Sequence, residues 1–317
     1  MARLQGRLCE VVLRVAAIDV GTNSTRLLVA EAQAEGFRPL DRRMIITRLG
    51  QGIDVSRSLS NEALGRTLRT IAEYAAACGE YGVERLRVTG TSAVRDARNR
   101  VEFFEGVQRL TGQEPEMLSG DAEARATFLG VRAHLDDEQP ILVVDIGGGS
   151  TELISGGTEP WHLVSLDLGC VRLFEKHLHS DPPAPAELQA LRAEVTAAID
   201  AVAESLEVPA GARLVGVAGT VAQLATLKTG LPVYDPDVVH HTVMSHGDVR
   251  LLARRLESLP FAQRRRIKGL EEGRVDVIVA GAEILLCVME SFDLAEVLGS
   301  ENDILDGLVL QLLTDAA

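Results

Sequence analysis

The segment Asp19–Leu27 reads DVGTNSTRL, and the segment Asp145–Leu153 reads DIGGGSTEL. Asp, Gly, Ser, Thr and Leu match between the two at one constant offset of 126 residues, from position 19 to position 145. Each segment extends an apolar run, Val15–Val20 or Ile141–Ile146, into a small polar turn and a second apolar run, which is the pattern of a β-hairpin. Such a repeat predicts two related lobes whose turns face each other across a cleft.

The residues of these turns are suited to binding phosphate. Glycine lets backbone N–H groups approach an anion, serine and threonine hydroxyls add donors, and a carboxylate can hold a cation or its water. A single turn of this type is equally well explained as a plain hairpin connection, whereas two copies favour function. The expected phosphate-binding residues are Gly21, Thr22, Asn23, Ser24, Gly147, Gly148, Gly149 and Ser150.

A third small-residue turn follows the buried run Leu214–Val217 and opens a predicted helix. The N-terminus of a helix presents free N–H groups and the positive end of its dipole, so it attracts anions. This position adds Gly219 and Thr220 to the expected phosphate-binding residues.

Composition limits the class of protein. The 317 residues are 46% hydrophobic but only 3% aromatic, which favours an α/β chain with an aliphatic core and room for two domains. A net charge of −14 argues against nucleic-acid or membrane-surface partners, which are themselves polyanionic. No window approaches the roughly 18 apolar residues that a membrane span requires.

The ends and the middle of the chain suggest its organisation. Met1–Arg14 lacks the apolar run of a secretory signal and reads as an extension, with translation beginning at Val15 as an alternative. The polar stretch Leu135–Pro140 is the best linker, which predicts an N-terminal lobe over 1–136 and a C-terminal lobe over 137–317. Four scattered cysteines without a CxxC pattern indicate a reducing, cytoplasmic setting.

Taken together, five segments resemble the exopolyphosphatase and guanosine pentaphosphate phosphohydrolase family. These are Ala17–Ser24, Gly90–Arg95, Ser119–Arg125, Val144–Glu152 and Ala218–Thr220, in the family's order and over nearly the whole chain. The resemblance implies an α/β, two-lobed actin-like fold of the ribonuclease H-like ATPase superfamily, with duplicated lobes and a cleft between them.

The resemblance also implies catalytic roles. Glu123 matches the glutamate that activates the attacking water, Asp145 and Glu152 match carboxylates associated with Mg²⁺ or Mn²⁺ and the catalytic water, and Arg95 matches an arginine that contacts phosphate. Without the resemblance, Glu123 is explained as a first-turn acid favoured by the helix dipole. The family commonly carries a second glutamate where this chain has Ala122.

The implied function is hydrolysis of terminal phosphoanhydride bonds of inorganic polyphosphate. Guanosine pentaphosphate is an alternative substrate that the sequence does not separate from polyphosphate. A non-catalytic regulatory protein that binds alarmones or polyphosphate, and an ATP-dependent kinase or actin-like ATPase, are alternatives from other classes. The sequence is compatible with a homodimer but does not fix the oligomeric state.

Two further groups of side chains lie outside these motifs. The basic run Arg264–Lys268 is either a path for a polyphosphate tail or a solvated face. His240, His241 and His246 are more simply explained as loop or helix-start residues than as metal ligands.

Overall fold

A computed structural model describes residues 12–315 of the chain. Its strands are β1 (Arg14–Val20), β2 (Ser24–Ala32), β3 (Phe37–Ile46), β4 (Arg85–Gly90), β5 (Glu116–Met117), β6 (Ile141–Ile146), β7 (Thr151–Gly156), β8 (Pro160–Leu166), β9 (Arg213–Val217), β10 (Val243–Ser245) and β11 (Glu296–Gly299). Its α-helices are α1 (Ile53–Ser56), α2 (Asn61–Glu80), α3 (Ser92–Asp96), α4 (Arg100–Thr111), α5 (Gly120–Arg132), α6 (Cys170–His177), α7 (Pro185–Ala203), α8 (Ala218–Thr229), α9 (Pro236–Val239), α10 (His246–Glu257), α11 (Phe261–Arg264), α12 (Ile278–Ser291) and α13 (Ile304–Thr314).

The strands form two sheets with the same plan. The first sheet has the order β3-β2-β1-β4-β5, and the second has the order β8-β7-β6-β9-β11 with β10 added at its edge. In both sheets the first three strands are antiparallel neighbours and the next strand joins in parallel. This duplicated topology is the two-lobed actin-like fold, which confirms the predicted fold class.

The two repeated segments occupy equivalent places in the two sheets. Asp19 is paired across the hairpin with Arg26, and Asp145 is paired in the same way with Glu152. Each turn is closed by one backbone bond, from Gly21 N to the Ser24 carbonyl at 2.9 Å or from Gly147 N to the Ser150 carbonyl at 3.0 Å. The sequence repeat is therefore a structural repeat, and the two predicted hairpins are confirmed.

Helices α5 and α13 cross between the lobes. Helix α5 follows the last strand of the first sheet, but its apolar residues Ala124, Phe128 and Val131 pack on the second sheet. Helix α13 follows the last strand of the second sheet, but Leu308 and other apolar residues on it pack on the first sheet. Each sheet is thus covered on one face by a helix that the chain attaches to the other sheet.

Two glycines allow α5 and α13 to approach to backbone distance. A Cβ placed on Gly307 of α13 would overlap the carbonyl oxygen of Ala126, and a Cβ on Gly130 of α5 would overlap the carbonyl oxygen of Asp303. Because no side chain separates the helices at these positions, any larger residue forces them apart.

Two predicted boundaries, the linker between the lobes and the end of the N-terminal extension, can be compared with the structure. The expected linker, residues 135–140, lies between α5 and β6. The two lobes do not divide cleanly there, because α5 precedes the linker but packs on the second sheet, and α13 follows it but packs on the first. Residues 1–11 of the expected extension lie outside the described residues. Arg14 belongs to the first sheet, since its guanidinium donates to the Tyr81 carbonyl at 2.9 Å and pairs with Glu31 at 3.2 Å.

Within residues 12–315, no helix has both the length and the apolar character needed to cross a bilayer.

The helix crossing yields a stability prediction. Gly307→Ala should lower the free energy of unfolding by about 2 kcal/mol or more, because the added methyl meets backbone rather than a movable side chain. Gly65→Ala, in the interior of α2, is the matched control, since its nearest neighbour would be Arg69 Nη1 at 3.6 Å. The control should be neutral or slightly stabilising. Equal urea midpoints for the two variants would contradict a stabilising backbone contact between α5 and α13 at Gly307.

Candidate active site

The two glycine turns meet in the cleft between the lobes. A Cβ on Gly148 would lie 2.9 Å from the Cβ of Thr22, and a Cβ on Gly149 would overlap the hydroxyl of Ser92. Side chains of the first lobe therefore rest directly on the glycine backbone of the second. The glycines are needed here for close approach between the lobes as well as for access to an anion.

Most of the predicted phosphate-binding residues line this cleft. All four residues of the first turn and all four residues of the second turn do so, together with Gly219, Glu123 and Asp145. Asp19, Arg26, Thr91, Ser92, Cys170, Ala218 and Arg274 also line it, and sequence reasoning did not include them among the site residues. The repeat offered a signal for Asp19, which is the first-lobe counterpart of Asp145.

Three predicted site residues lie behind the cleft surface. Arg95 donates to Glu123 Oε2 at 2.7 Å and to the Leu118 carbonyl at 2.9 Å, so in this structure it is the partner of the expected base. Glu152 is buried and accepts a hydrogen bond from the Ser165 hydroxyl at 2.6 Å. Thr220 is buried, with its side chain against Gly281.

Glu123 lies in the first turn of α5, which begins at the Ser119 N-cap. Only 9% of the residue is exposed. Burial raises the pKa of Glu123 to about 7, although the Arg95 guanidinium opposes the rise. A carboxyl group with a pKa near neutrality, at the edge of a cleft lined by glycine turns, has the properties of a general base.

Asp145 and Glu152 are buried close to Glu123. Burial raises the pKa of Asp145 to about 6, while the nearby Arg26 lowers it. Burial and the neighbouring Glu123 and Asp145 raise the pKa of Glu152 well above its usual range. Because these carboxyl groups are buried together, a cation bound beside them would favour their ionised forms.

Arg26 makes the two halves of the cleft electrostatically different. It occupies the register position of Glu152 in the first hairpin, and its guanidinium pairs with Asp19 at 2.7 Å and with Asp303 at the N-cap of α13. The first lobe thus supplies its own cation next to Asp19. In the second lobe the same register position holds Glu152, so a carboxylate stands beside Asp145 where the first lobe has an arginine beside Asp19.

One buried donor in the cleft lacks a partner. Among the described residues, Asn23 Nδ2 is buried and makes no hydrogen bond. An unpaired buried amide group is costly, and an acceptor such as a phosphate oxygen would satisfy it.

Arg274 is the most important residue that sequence reasoning missed. Its guanidinium lies over the backbone of Gly219, where a Cβ would overlap it, and its Nε donates to Glu271 at 2.8 Å. No motif surrounds it, so the sequence carried no signal for its position. Its place at the wall of the cleft requires glycine at 219.

The lobes are held together at the rim by Arg172 of α6. Its guanidinium pairs with Asp96 of α3 at 2.7 Å and with Asp54 of α1, and its Nε donates to the Gly149 carbonyl at 2.7 Å. Because these contacts join the second glycine turn to two helices of the first lobe, they favour the closed cleft.

A cation site fits the available donors. Within residues 12–315 there is no group of three or more His, Cys, Asp or Glu side chains arranged to hold a metal by themselves. Mg²⁺ is commonly held by one or two carboxylates, with waters and substrate phosphates completing its shell. Asp145 can serve in this way with Glu152 behind it.

The basic run Arg264–Lys268 does not form a continuous cationic path. Arg264 is buried and donates to the carbonyls of Val275, Leu256 and Leu259, at 3.0 to 3.3 Å. Its guanidinium therefore joins the end of α10 to the segment before α12, and Arg265 is paired with Glu272.

Two opposed glycine turns in an actin-like fold define a protein that handles phosphoryl groups. A family model described as the Ppx/GppA phosphatase family matches residues 28–316. The chain belongs to this family, which confirms the resemblance seen in the sequence.

Similar proteins support the same assignment. "Exopolyphosphatase 2" of Mycobacterium tuberculosis is 36% identical over 313 residues, covering 94% of this chain and 98% of that protein. A "Guanosine-5'-triphosphate,3'-diphosphate pyrophosphatase" of Pseudoalteromonas atlantica is 28% identical, covering 94% of this chain and 58% of that protein. The crystal structure of an exopolyphosphatase-like protein has a TM-score of 0.93 at 34% identity, covering 96% of this chain and 99% of that one. The Aquifex aeolicus Ppx/GppA family member has a TM-score of 0.82 at 31% identity, with coverages of 96% and 99%.

The buried charge of Glu123 yields a prediction about stability. Its folded pKa of about 7 exceeds the ordinary value of 4.5, so ionisation weakens the fold progressively as pH rises from 4.5 through 7. Glu123→Gln removes this penalty. In metal-free buffer the free energy of unfolding of the variant, relative to that of wild type, should be about 1 kcal/mol higher at pH 8 than at pH 6.

Urea unfolding at the two pH values measures this difference. Glu105→Gln, on an exposed face of α4, is the control and should show no such change. A stability difference between Glu123→Gln and wild type that is the same at both pH values, or that favours the variant less at pH 8 than at pH 6, would contradict the electrostatic cost.

Proposed function

We propose that this protein is an exopolyphosphatase, which releases orthophosphate by hydrolysing terminal phosphoanhydride bonds of inorganic polyphosphate. The observation that carries the proposal is the buried Glu123 carboxylate at the edge of a cleft lined by both glycine turns. The names of the similar proteins point to the same chemistry. The expected setting is the cytoplasm.

In hydrolysis, the residues of the two turns bind the terminal phosphate and Glu123 activates the attacking water. The backbone N–H groups and hydroxyls of the two turns, with the free amide of Asn23, bind the oxygens of the terminal phosphate. Glu123 accepts a proton from a water as the water oxygen bonds to the terminal phosphorus. The bond from that phosphorus to the bridging oxygen breaks, and the shortened chain leaves with the bridging oxygen as a phosphate oxyanion. Arg95 holds Glu123 in place and favours its ionised form.

The proposed cofactor is Mg²⁺, or Mn²⁺ in its place, held by Asp145 and Glu152. Carboxylate oxygens suit these ions, and because burial raises the pKa values of both side chains, a bound cation would favour their ionised forms. When bound, the ion would neutralise charge on the phosphate oxygens.

The function is tested by measuring phosphate release from polyphosphate, guanosine pentaphosphate and ATP side by side. Glu123→Gln should reduce turnover by about 10² to 10⁴-fold and leave substrate binding nearly intact, because the turns and arginines are unchanged. Release by wild type should stop in excess chelator. Turnover close to that of wild type from a folded Glu123→Gln protein would rule out Glu123 as the base.

A cavity next to the cleft favours guanosine pentaphosphate as a second candidate substrate. The cavity has a volume of about 320 Å³, and Arg26, Ala218, Gly219 and Arg274 belong to its wall as well as to that of the cleft. This volume is within the usual range for small-molecule sites. A substrate whose last phosphate lies in the cleft can therefore place its other end in the cavity.

The lining of the cavity is better matched to a nucleoside than to more phosphates. Its arginines are neutralised by carboxylates: Arg26 by Asp19 and Asp303, Arg42 by Asp306, Arg43 by Asp41 and Arg274 by Glu271. The remaining wall includes the apolar residues Met44, Ala222, Pro236 and Leu305 and the ring of Tyr234.

One carboxylate of the cavity wall has an unused acceptor. Glu301 accepts a hydrogen bond from the Tyr234 hydroxyl through Oε2, while its Oε1 is buried without a partner among the described residues. A carboxylate oxygen can accept the N–H donors that a guanine base presents.

Filling the cavity separates the two substrates. Ala222→Phe should reduce the kcat/KM for guanosine pentaphosphate by about 10-fold or more, because the ring occupies space that the nucleoside would need. The kcat/KM for a short polyphosphate should change by less than about 3-fold. Equal losses for both substrates would contradict a nucleoside site in the cavity.

A further inference from the structure

Thr127 joins the helix of the expected base to a carboxylate of the opposite lobe. It lies on α5 one turn after Glu123, so the two side chains share a face of the helix. Thr127 is fully buried, and its hydroxyl donates to Asp145 Oδ2 at 3.0 Å. Among the described residues no hydrogen bond reaches the other oxygen of Asp145, Oδ1, and Asp145 lines the cleft.

The two lobes orient their equivalent aspartates in different ways. In the first sheet the neighbour of Asp19 on β4 is Thr89, whose hydroxyl lies 3.3 Å from Asp19 Oδ1. In the second sheet the equivalent neighbour of Asp145 on β9 is Val217, which has no side-chain donor. The hydroxyl that the second sheet lacks is supplied by α5.

We propose that Thr127 is a positioning residue, which fixes the Asp145 carboxylate so that one oxygen is held and the other is free to face the cleft. Because Glu123 and Thr127 are on one rigid helix, the expected base and the Asp145 carboxylate are positioned by the same element. The inference rests on the proposed function, since it assigns to Asp145 the task of holding a cation.

A purely structural role for the Thr127 hydroxyl makes a different prediction. A buried hydroxyl that only satisfies its own hydrogen bond affects stability, whereas a positioning residue also affects the group that it orients. Partners that orient metal-binding side chains typically change metal affinity about 10 to 100-fold when removed.

The test compares Thr127→Val, which removes the hydroxyl at nearly constant shape, with Thr127→Ser, which keeps it. In substrate-free Thr127→Val we expect the Mn²⁺ affinity, measured by electron paramagnetic resonance titration, to be at least about 10-fold lower than in wild type. We also expect kcat to fall about 10-fold or more while KM changes by less than about 3-fold. Thr127→Ser should stay within about 3-fold of wild type in each measurement.

The matched control is Thr226→Val on α8. Thr226 is also fully buried, but its hydroxyl donates to the Ala222 carbonyl of its own helix at 2.8 Å. This variant should lose only stability, with Mn²⁺ affinity and kcat unchanged. If Thr127→Val does not fold, Thr127→Ala is compared with Thr127→Ser in the same measurements, and the same loss of Mn²⁺ affinity is expected.

Several results would overturn the inference. They are a Thr127→Val protein with the Mn²⁺ affinity and kcat of wild type, a Thr127→Ser protein as impaired as Thr127→Val, or a wild-type protein that binds no Mn²⁺. A wild-type protein that hydrolyses none of the substrates would refute the proposed function. The Mn²⁺ titration needs no turnover, so the comparison of Thr127→Val with Thr127→Ser would still test the role of Thr127.

Discussion

The backbone contact between α5 and α13 is the constraint on which the cleft depends. Gly130 and Gly307 let the two helices touch, and each helix is anchored on the sheet of the other lobe. The N-terminal turn of α5 carries Glu123, and the N-cap of α13 is Asp303, which pairs with Arg26. The helix contact therefore fixes both the expected base and the arginine that balances the first-lobe aspartate.

Ionising the buried carboxyl groups of the site costs free energy, and a bound ligand can reduce that cost. Burial raises the pKa values of Glu123, Asp145 and Glu152, so their ionised forms are disfavoured in the folded protein. A cation would favour those ionised forms, and a phosphate would satisfy donors such as Asn23 Nδ2. A bound cation and a bound phosphate would each reduce the cost of binding the other, which would suit a polyanionic substrate in a protein of net charge −14.

The sequence predicted the parts of this molecule that are local or repeated. The 126-residue repeat located both hairpins and hence the two sides of the cleft, and Glu123 was expected as an acid in the first turn of a helix, where the structure has it. What it could not predict depends on contacts between distant segments, such as Arg26 with Asp303 or Arg274 over Gly219, because no periodicity records them. For the same reason Arg264 reads as basic surface until its carbonyl partners are known.

The exchange of α5 and α13 bears on how such a molecule could arise. Neither sheet is covered by helices from its own half of the chain alone, so a half released by itself would expose an apolar face. Two copies of an ancestral half-length chain could cover each other by trading their last helices, as in a domain-swapped dimer. Joining those copies end to end would give the present arrangement, in which Arg26 and Glu152 stand at equivalent register positions of the two hairpins.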